Sequence, residues 1–117
     1  IEPWHGHQVV VYLPQDGPDG WQRCVLDETL REGHALVVAD LDRDGRDELV
    51  AGWRGAGGGL TWYDPGDGSP SDYRAVPLDR QIAVEGLAAA DINGDGRPDL
   101  VANAGRSNKL VWYENRP

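Results

Sequence analysis

An all-β chain of repeated four-stranded antiparallel meanders is what this sequence predicts, and three observations predict it. The first is self-similarity. Ala39-Asp40-Leu41-Asp42-Arg43-Asp44-Gly45-Arg46-Asp47-Glu48-Leu49-Val50-Ala51 returns as Ala90-Asp91-Ile92-Asn93-Gly94-Asp95-Gly96-Arg97-Pro98-Asp99-Leu100-Val101-Ala102, 51 residues further on. A fixed period of that size is the mark of stacked or radially arranged units. The second is that the rest of the chain breaks into short runs rich in Val, Leu, Trp and Tyr, bounded by Gly, Asp and Pro, the pattern of strands and turns. The third is that no segment keeps a helical period over the length of a stable helix.

In chain order, each unit gives strands a, b, c and d. The chain enters partway through a unit, with c at 9–13 and d at 22–27. A complete set follows: a at 35–39, b at 48–53, c at 60–63 and d at 73–78. It leaves with a at 87–90, b at 99–104 and c at 110–114. Strand a is mostly Ala and Val, which suits a crowded innermost position. Four antiparallel strands per repeat of about this length predict β-propeller blades. One blade is complete (34–79) and two are partial (1–33 and 80–117). Two meanders stacked as a sandwich are the alternative.

The a–b connections, 40–48 and 91–99, carry the strongest chemistry. A hard cation such as calcium takes six to eight oxygens at about 2.3–2.6 Å from a tightly turned loop. Positions 1, 3 and 5 supply carboxyl or amide oxygens from Asp40, Asp42 and Asp44, and from Asp91, Asn93 and Asp95. Gly45 and Gly96 permit the turn that follows. The carbonyls of Arg46 and Arg97 can then face the ion, and Glu48 and Asp99 close each loop. An EF-hand needs Glu at position 12, where this chain has Ala51 and Ala102. An Asp-Gly turn without an ion is the alternative for one copy; two copies in register favour Ca²⁺.

These loops resemble those of FG-GAP or VCBS repeats, whose blades carry an Asp-x-Asp-x-Asp-Gly-x-x-Asp calcium loop between the first two strands; integrin α-subunit propellers have similar loops. The resemblance covers most of the chain. Asn93 departs from it by replacing an acid, Glu48 by replacing the closing Asp, and the Phe-Gly…Gly-Ala-Pro signature is not clearly present. What the resemblance implies is a propeller with structural calcium, in a family that spans adhesion receptors, carbohydrate-binding proteins and propeller domains of lyases and dehydratases.

Meander connectivity puts the b–c and d–a connections on the face opposite the acidic loops. That face gathers Trp4, His5, His7, His34, Arg54, Glu85, Arg106 and Lys109, and loops on a rigid scaffold are where binding usually sits. Three uses compete. The first is a binding surface, for carbohydrate or another polar ligand, with Trp4 or Trp53 stacking. The second is part of a carbohydrate-active lyase, with a His base and an Arg or Lys clamp, or of a dehydratase with zinc on His5, His7 and His34. The third is a scaffold without a ligand. The Gly55–Gly59 run lacks the Lys-Ser/Thr and helix of a phosphate loop and reads as a flexible connection.

Composition narrows the partners. The 11 Lys and Arg against 20 Asp and Glu give a net charge of −9, which disfavours nucleic acid and anionic membrane. No apolar run approaches the roughly 18 residues that span a bilayer. Cys24 is the single cysteine, so an internal disulfide and a cysteine-based zinc knuckle are excluded. The chain begins at Ile1 without Met, which reads as processed or excised. A ring needs about four to eight blades. The expected partners are therefore further blades or identical chains, with a secreted or periplasmic location.

Overall fold

The computed structural model describes residues 1–2, 5–18, 20–66, 69 and 72–117. Nine strands make three antiparallel sheets. The first pairs β1 (Val9–Pro14) with β2 (Trp21–Asp27). The second is a full meander of β3 (Gly33–Ala39), β4 (Glu48–Trp53), β5 (Gly59–Asp64) and β6 (Arg74–Asp79). The third holds β7 (Gly86–Ala90), β8 (Asp99–Ala104) and β9 (Lys109–Tyr113), with a 3-10 turn over Gly105–Ser107 before β9. Every expected strand is present, its ends displaced by no more than two residues. Among the described residues there is no α-helix, and the sheets are those of β-propeller blades.

The repeat extends to register. Leu49 faces Tyr63 and Val50 faces Trp62 across β4 and β5; Leu100 faces Tyr113 and Val101 faces Trp112 across β8 and β9. Because side chains alternate between faces, one register sends Tyr63 and Tyr113 toward the preceding sheet and Trp62 and Trp112 toward the following one. β4 lies at the centre of this stack and is buried on both faces from Glu48 to Gly52. Two cores result. Val9, Leu30, Leu49, Ala51 and Tyr63 join the first sheet to the second, with Leu26, Trp53 and Tyr73 packed at their margin. Val50, Leu60, Val84, Leu100 and Ala102 join the second to the third, with Trp62 and Tyr113 at the margin.

A tyrosine–aspartate contact recurs at both junctions. The fully buried Tyr63 donates its hydroxyl hydrogen to Asp27 Oδ2 at 2.7 Å, and Tyr113 donates to Asp79 Oδ2 at 2.8 Å. Each aspartate spends its other oxygen on the turn after its strand, accepting from Thr29 N at 2.7 Å and from Gln81 N at 2.8 Å. Burial, then the hydrogen bond to a carboxylate, raises both phenol pKa values. Tyr63→Phe is expected to cost about 1–2 kcal/mol, because the buried acceptor loses its partner. Tyr113→Phe, at a half-buried site, is expected to cost less; urea unfolding of both variants gives the comparison.

The inner strands show what a neighbouring sheet covers. Leu87 and Ala89 of β7 pack against the second sheet. Their repeat counterparts in β3, Leu36 and Val38, are 40% and 53% exposed, since the first sheet has no a or b strand to cover them. The glycine run between β4 and β5 differs from the flexible connection expected. Gly58 and Gly59 are buried, and a Cβ on Gly58 would sit 2.1 Å from the Ile82 carbonyl oxygen. A Cβ on Gly59 would sit 2.1 Å from the Trp53 ring. The run is a close-packed seat for the segment that enters the third sheet.

Candidate metal centre

Both acidic loops turn by the same local hydrogen bonds. In the first, Asp40 Oδ2 accepts from Gly45 N at 3.1 Å, Asp42 Oδ1 from Asp44 N at 3.0 Å, and Asp44 Oδ1 from Arg46 N at 2.9 Å. In the second, Asp91 Oδ2 accepts from Gly96 N at 2.9 Å, Asn93 Oδ1 from Asp95 N at 3.0 Å, and Asp95 Oδ1 from Arg97 N at 2.8 Å. Short polar side chains that bond the backbone two residues on favour such turns over strand. The glycines at position 6 take φ +89° and +84°, a region glycine enters without a Cβ penalty.

Beyond that frame the loops part. Asp40, Asp42, Asp44 and Glu48 each offer an oxygen, and the four lie within 4.8 Å of one another. Oxygens on a shell of about 2.3–2.6 Å around calcium are at most about 5.2 Å apart, so the set fits one ion. Asp40 Oδ1 is buried and has no hydrogen-bond partner. An unpaired buried carboxylate oxygen is costly, and a cation beside it removes that cost. Glu48 is almost wholly buried, with Oε2 accepting from Leu41 N at 2.6 Å. Burial, aided by the nearby Asp42 and Asp40 charges, pushes its carboxyl pKa up. Arg46 pairs with Asp44 Oδ2 at 2.8 Å and holds that carboxyl below its usual range.

In the second loop, Asp91 Oδ1 is taken by Gly94 N at 2.7 Å and Asp95 N at 3.1 Å. The Asn93 amide donates to Asp95 and Glu114, each at 3.2 Å. Asp99 is fully buried, with Asn115 N at 2.8 Å and Ile92 N at 3.2 Å; those donors, Asn115 foremost, draw its pKa down. Asp91, Asp95 and Asp99 do not converge as the first set does. The sequence treats both loops as equivalent, whereas the structure assembles the first.

Asn115 was missed by motif reasoning because it lies outside both loops. Its side-chain amide donates to Leu41 O at 2.6 Å and to Pro98 O at 3.1 Å, tying the two loops together. Nothing in its local sequence signals this.

The opposite face forms a charge network across the sheet junctions. Arg54 lies 3.0 Å from Glu85 Oε2 and 3.5 Å from Glu32 Oε2, and Arg106 reaches Glu32 at 3.5 Å. His34 Nδ1 meets Glu85 O at 2.8 Å, and Nε2 lies 3.5 Å from the Glu85 carboxylate. The His5 ring stacks on His34 with centroids 4.8 Å apart. Partial desolvation, followed by the charges of Arg54 and His34, lowers the His5 pKa. His7 and Lys109 are exposed, and Trp4 lies outside the described residues. The three histidines do not form a metal-binding group among the described residues. Glu32, absent from the sequence-derived set, anchors two of the arginines.

Repeated antiparallel blades with a carboxylate loop between first and second strands define a class of metal-loop repeat protein. Residues 40–102, more than half of the chain, match the model of the FG-GAP-like repeat, and the chain belongs to that family. No curated protein matches it. No helix among the described residues is long and apolar enough to cross a membrane.

Proposed function

We propose that this chain is a calcium-stabilised β-propeller repeat module that acts as a binding or scaffold unit and is completed by further blades or by copies of itself. The observation that carries the reading is the first loop, where four carboxylate oxygens lie within 4.8 Å and one, Asp40 Oδ1, is buried without a partner. Asp40, Asp42, Asp44 and Glu48 would hold the ion, with the Arg46 carbonyl as the expected backbone ligand. The ion would supply positive charge at a buried acidic turn and draw β3 and β4 together. The second loop, with Asn93 in place of an acid and its aspartates bonded within the loop, is the weaker site.

The scaffold role is favoured by the opposite face. Arg54, Arg106, His34, Glu32 and Glu85 are spent on one another, and the Trp53 indole packs on Gly59 rather than standing as a stacking platform. A carbohydrate ligand on this face remains the subject of a glycan screen. A secreted or periplasmic location follows from the loop chemistry, since calcium modules of modest affinity work at the 10⁻⁴–10⁻³ M levels found outside cells.

Calcium at about a hundredfold above its dissociation constant stabilises a one-site protein by about 2.7 kcal/mol. For a domain of this size that is a rise of about 10 °C in Tm. Thermal melts in calcium and in chelator test it; coincident curves would sink the calcium reading.

A further inference from the structure

The third sheet ends in an open edge whose partner can be read from the other two junctions. β5 pairs on its far side with β6, whereas β9, in the same register with its own inner neighbour, has no further strand. Beside β9 lies a groove of about 570 Å³ between the second and third sheets. Its walls include Trp62, Leu78, Leu100 and Tyr113. Their repeat counterparts at the first junction are Val11, Leu26, Leu49 and Tyr63, and there the space is occupied: Tyr73, the residue before β6, packs against that cluster. The groove is thus the equivalent of the Tyr73 seat.

We propose that the β9 edge and this groove together bind one extended strand of the repeat's own type. Its aromatic residue, at the position of Tyr73, fills the groove. A basic residue follows, then an alternating apolar stretch, and the segment ends in Leu-Asp like Leu78-Asp79. Three observations define that chemistry. The backbone of β9 supplies a row of ladder partners, as in strand addition to a sheet edge. The groove floor is apolar and the size of an aromatic side chain. Glu114 stands where Asp64 stands, and Asp64 pairs with Arg74 at 3.0 Å, so the incoming strand carries its cation there.

The chain's own d strand at the first sheet shows the pattern without a preceding blade: Trp21, the counterpart of Tyr73, is 59% exposed. An exposed aromatic and an unfilled aromatic seat are complementary ends of one interface. Two copies do not tile head to tail in register, however. The leaving a-b-c and the entering c-d together carry one c strand too many. A single d strand is therefore the occupant that fits, supplied by chain of this repeat type. The inference rests on the reading that further repeat sequence completes the ring.

The test adds a peptide of residues 72–82, labelled for anisotropy, to the full chain at saturating calcium, with amide exchange read in parallel. The expected result is saturable binding with new protection of the β9 amides. A Tyr73→Ala peptide, or the chain variant Leu78→Arg in the groove wall, is expected to weaken binding by roughly ten- to a hundredfold, the value of burying one large apolar side chain. Binding that is indifferent to both changes, or absent protection at β9, overturns the proposal. So does a chain that is already dimeric with β9 protected, which would make a second copy the occupant. The calcium reading fails separately: peptide binding with no thermal shift from calcium leaves the strand site standing and removes the ion.

Discussion

Gly58→Ala is expected to destabilise the chain by about 2–5 kcal/mol, while Gly57→Ala, one residue earlier, is expected to cost only about 1–2 kcal/mol. Both glycines have positive φ, +93° at Gly57 and +75° at Gly58, so both variants pay the left-handed penalty of an L residue. Only Gly58 also meets backbone. A Cβ there would lie 2.1 Å from Ile82 O and 2.5 Å from Ala83 Cα, whereas nothing lies within 4 Å of one on Gly57. The difference between the variants isolates the close approach between the β4–β5 turn and the segment that leads into β7. That segment delivers Ile82 and Val84 to the core between the second and third sheets, so pushing it away opens the junction. Urea unfolding with unchanged slope would give both values. Equal losses would show that the two segments separate freely.

The contrast shows where sequence reading reaches and where it stops. Strands such as β4 and β5 were legible because alternation and the 51-residue repeat are local properties, written into adjacent residues. The acidic turns were legible for the same reason, since Asp42 and Asp44 bond the backbone two residues on. The role of Gly58 was not, because the same glycine run serves either a loose loop or a tight seat until Ile82 is placed against it. Asn115 was illegible on similar grounds: its partners Leu41 and Pro98 come from two different loops. The Tyr63–Asp27 and Tyr113–Asp79 contacts lay between. Both members recur with the repeat, but only the stacking of sheets brings the end of one unit to the third strand of the next.

The two closing carboxylates are expected to answer calcium in different ways. Glu48 and Asp99 occupy the same place in their loops, and both are buried. Glu48 shares its surroundings with Asp40 and Asp42, and its burial disfavours the charged form. Without calcium, Glu48→Gln removes one charge from a crowded acidic turn and keeps an acceptor for Leu41 N; its effect is expected to stay within about 1 kcal/mol. With calcium the same change removes a charged ligand, and most of the ion's stabilisation, about 2–3 kcal/mol at a hundredfold excess, is expected to disappear. Asp99 is already engaged by the Asn115 and Ile92 amides. An Asp99→Asn variant turns an amide NH₂ toward one of those donors, leaving it buried and unpaired. The expected cost is about 2–4 kcal/mol in chelator as well as in calcium. Thermal and urea unfolding of the two variants, each with and without calcium, separates the roles. A loss for Glu48→Gln that is the same in both conditions would mean that its carboxylate serves the turn alone and that the ion is held elsewhere.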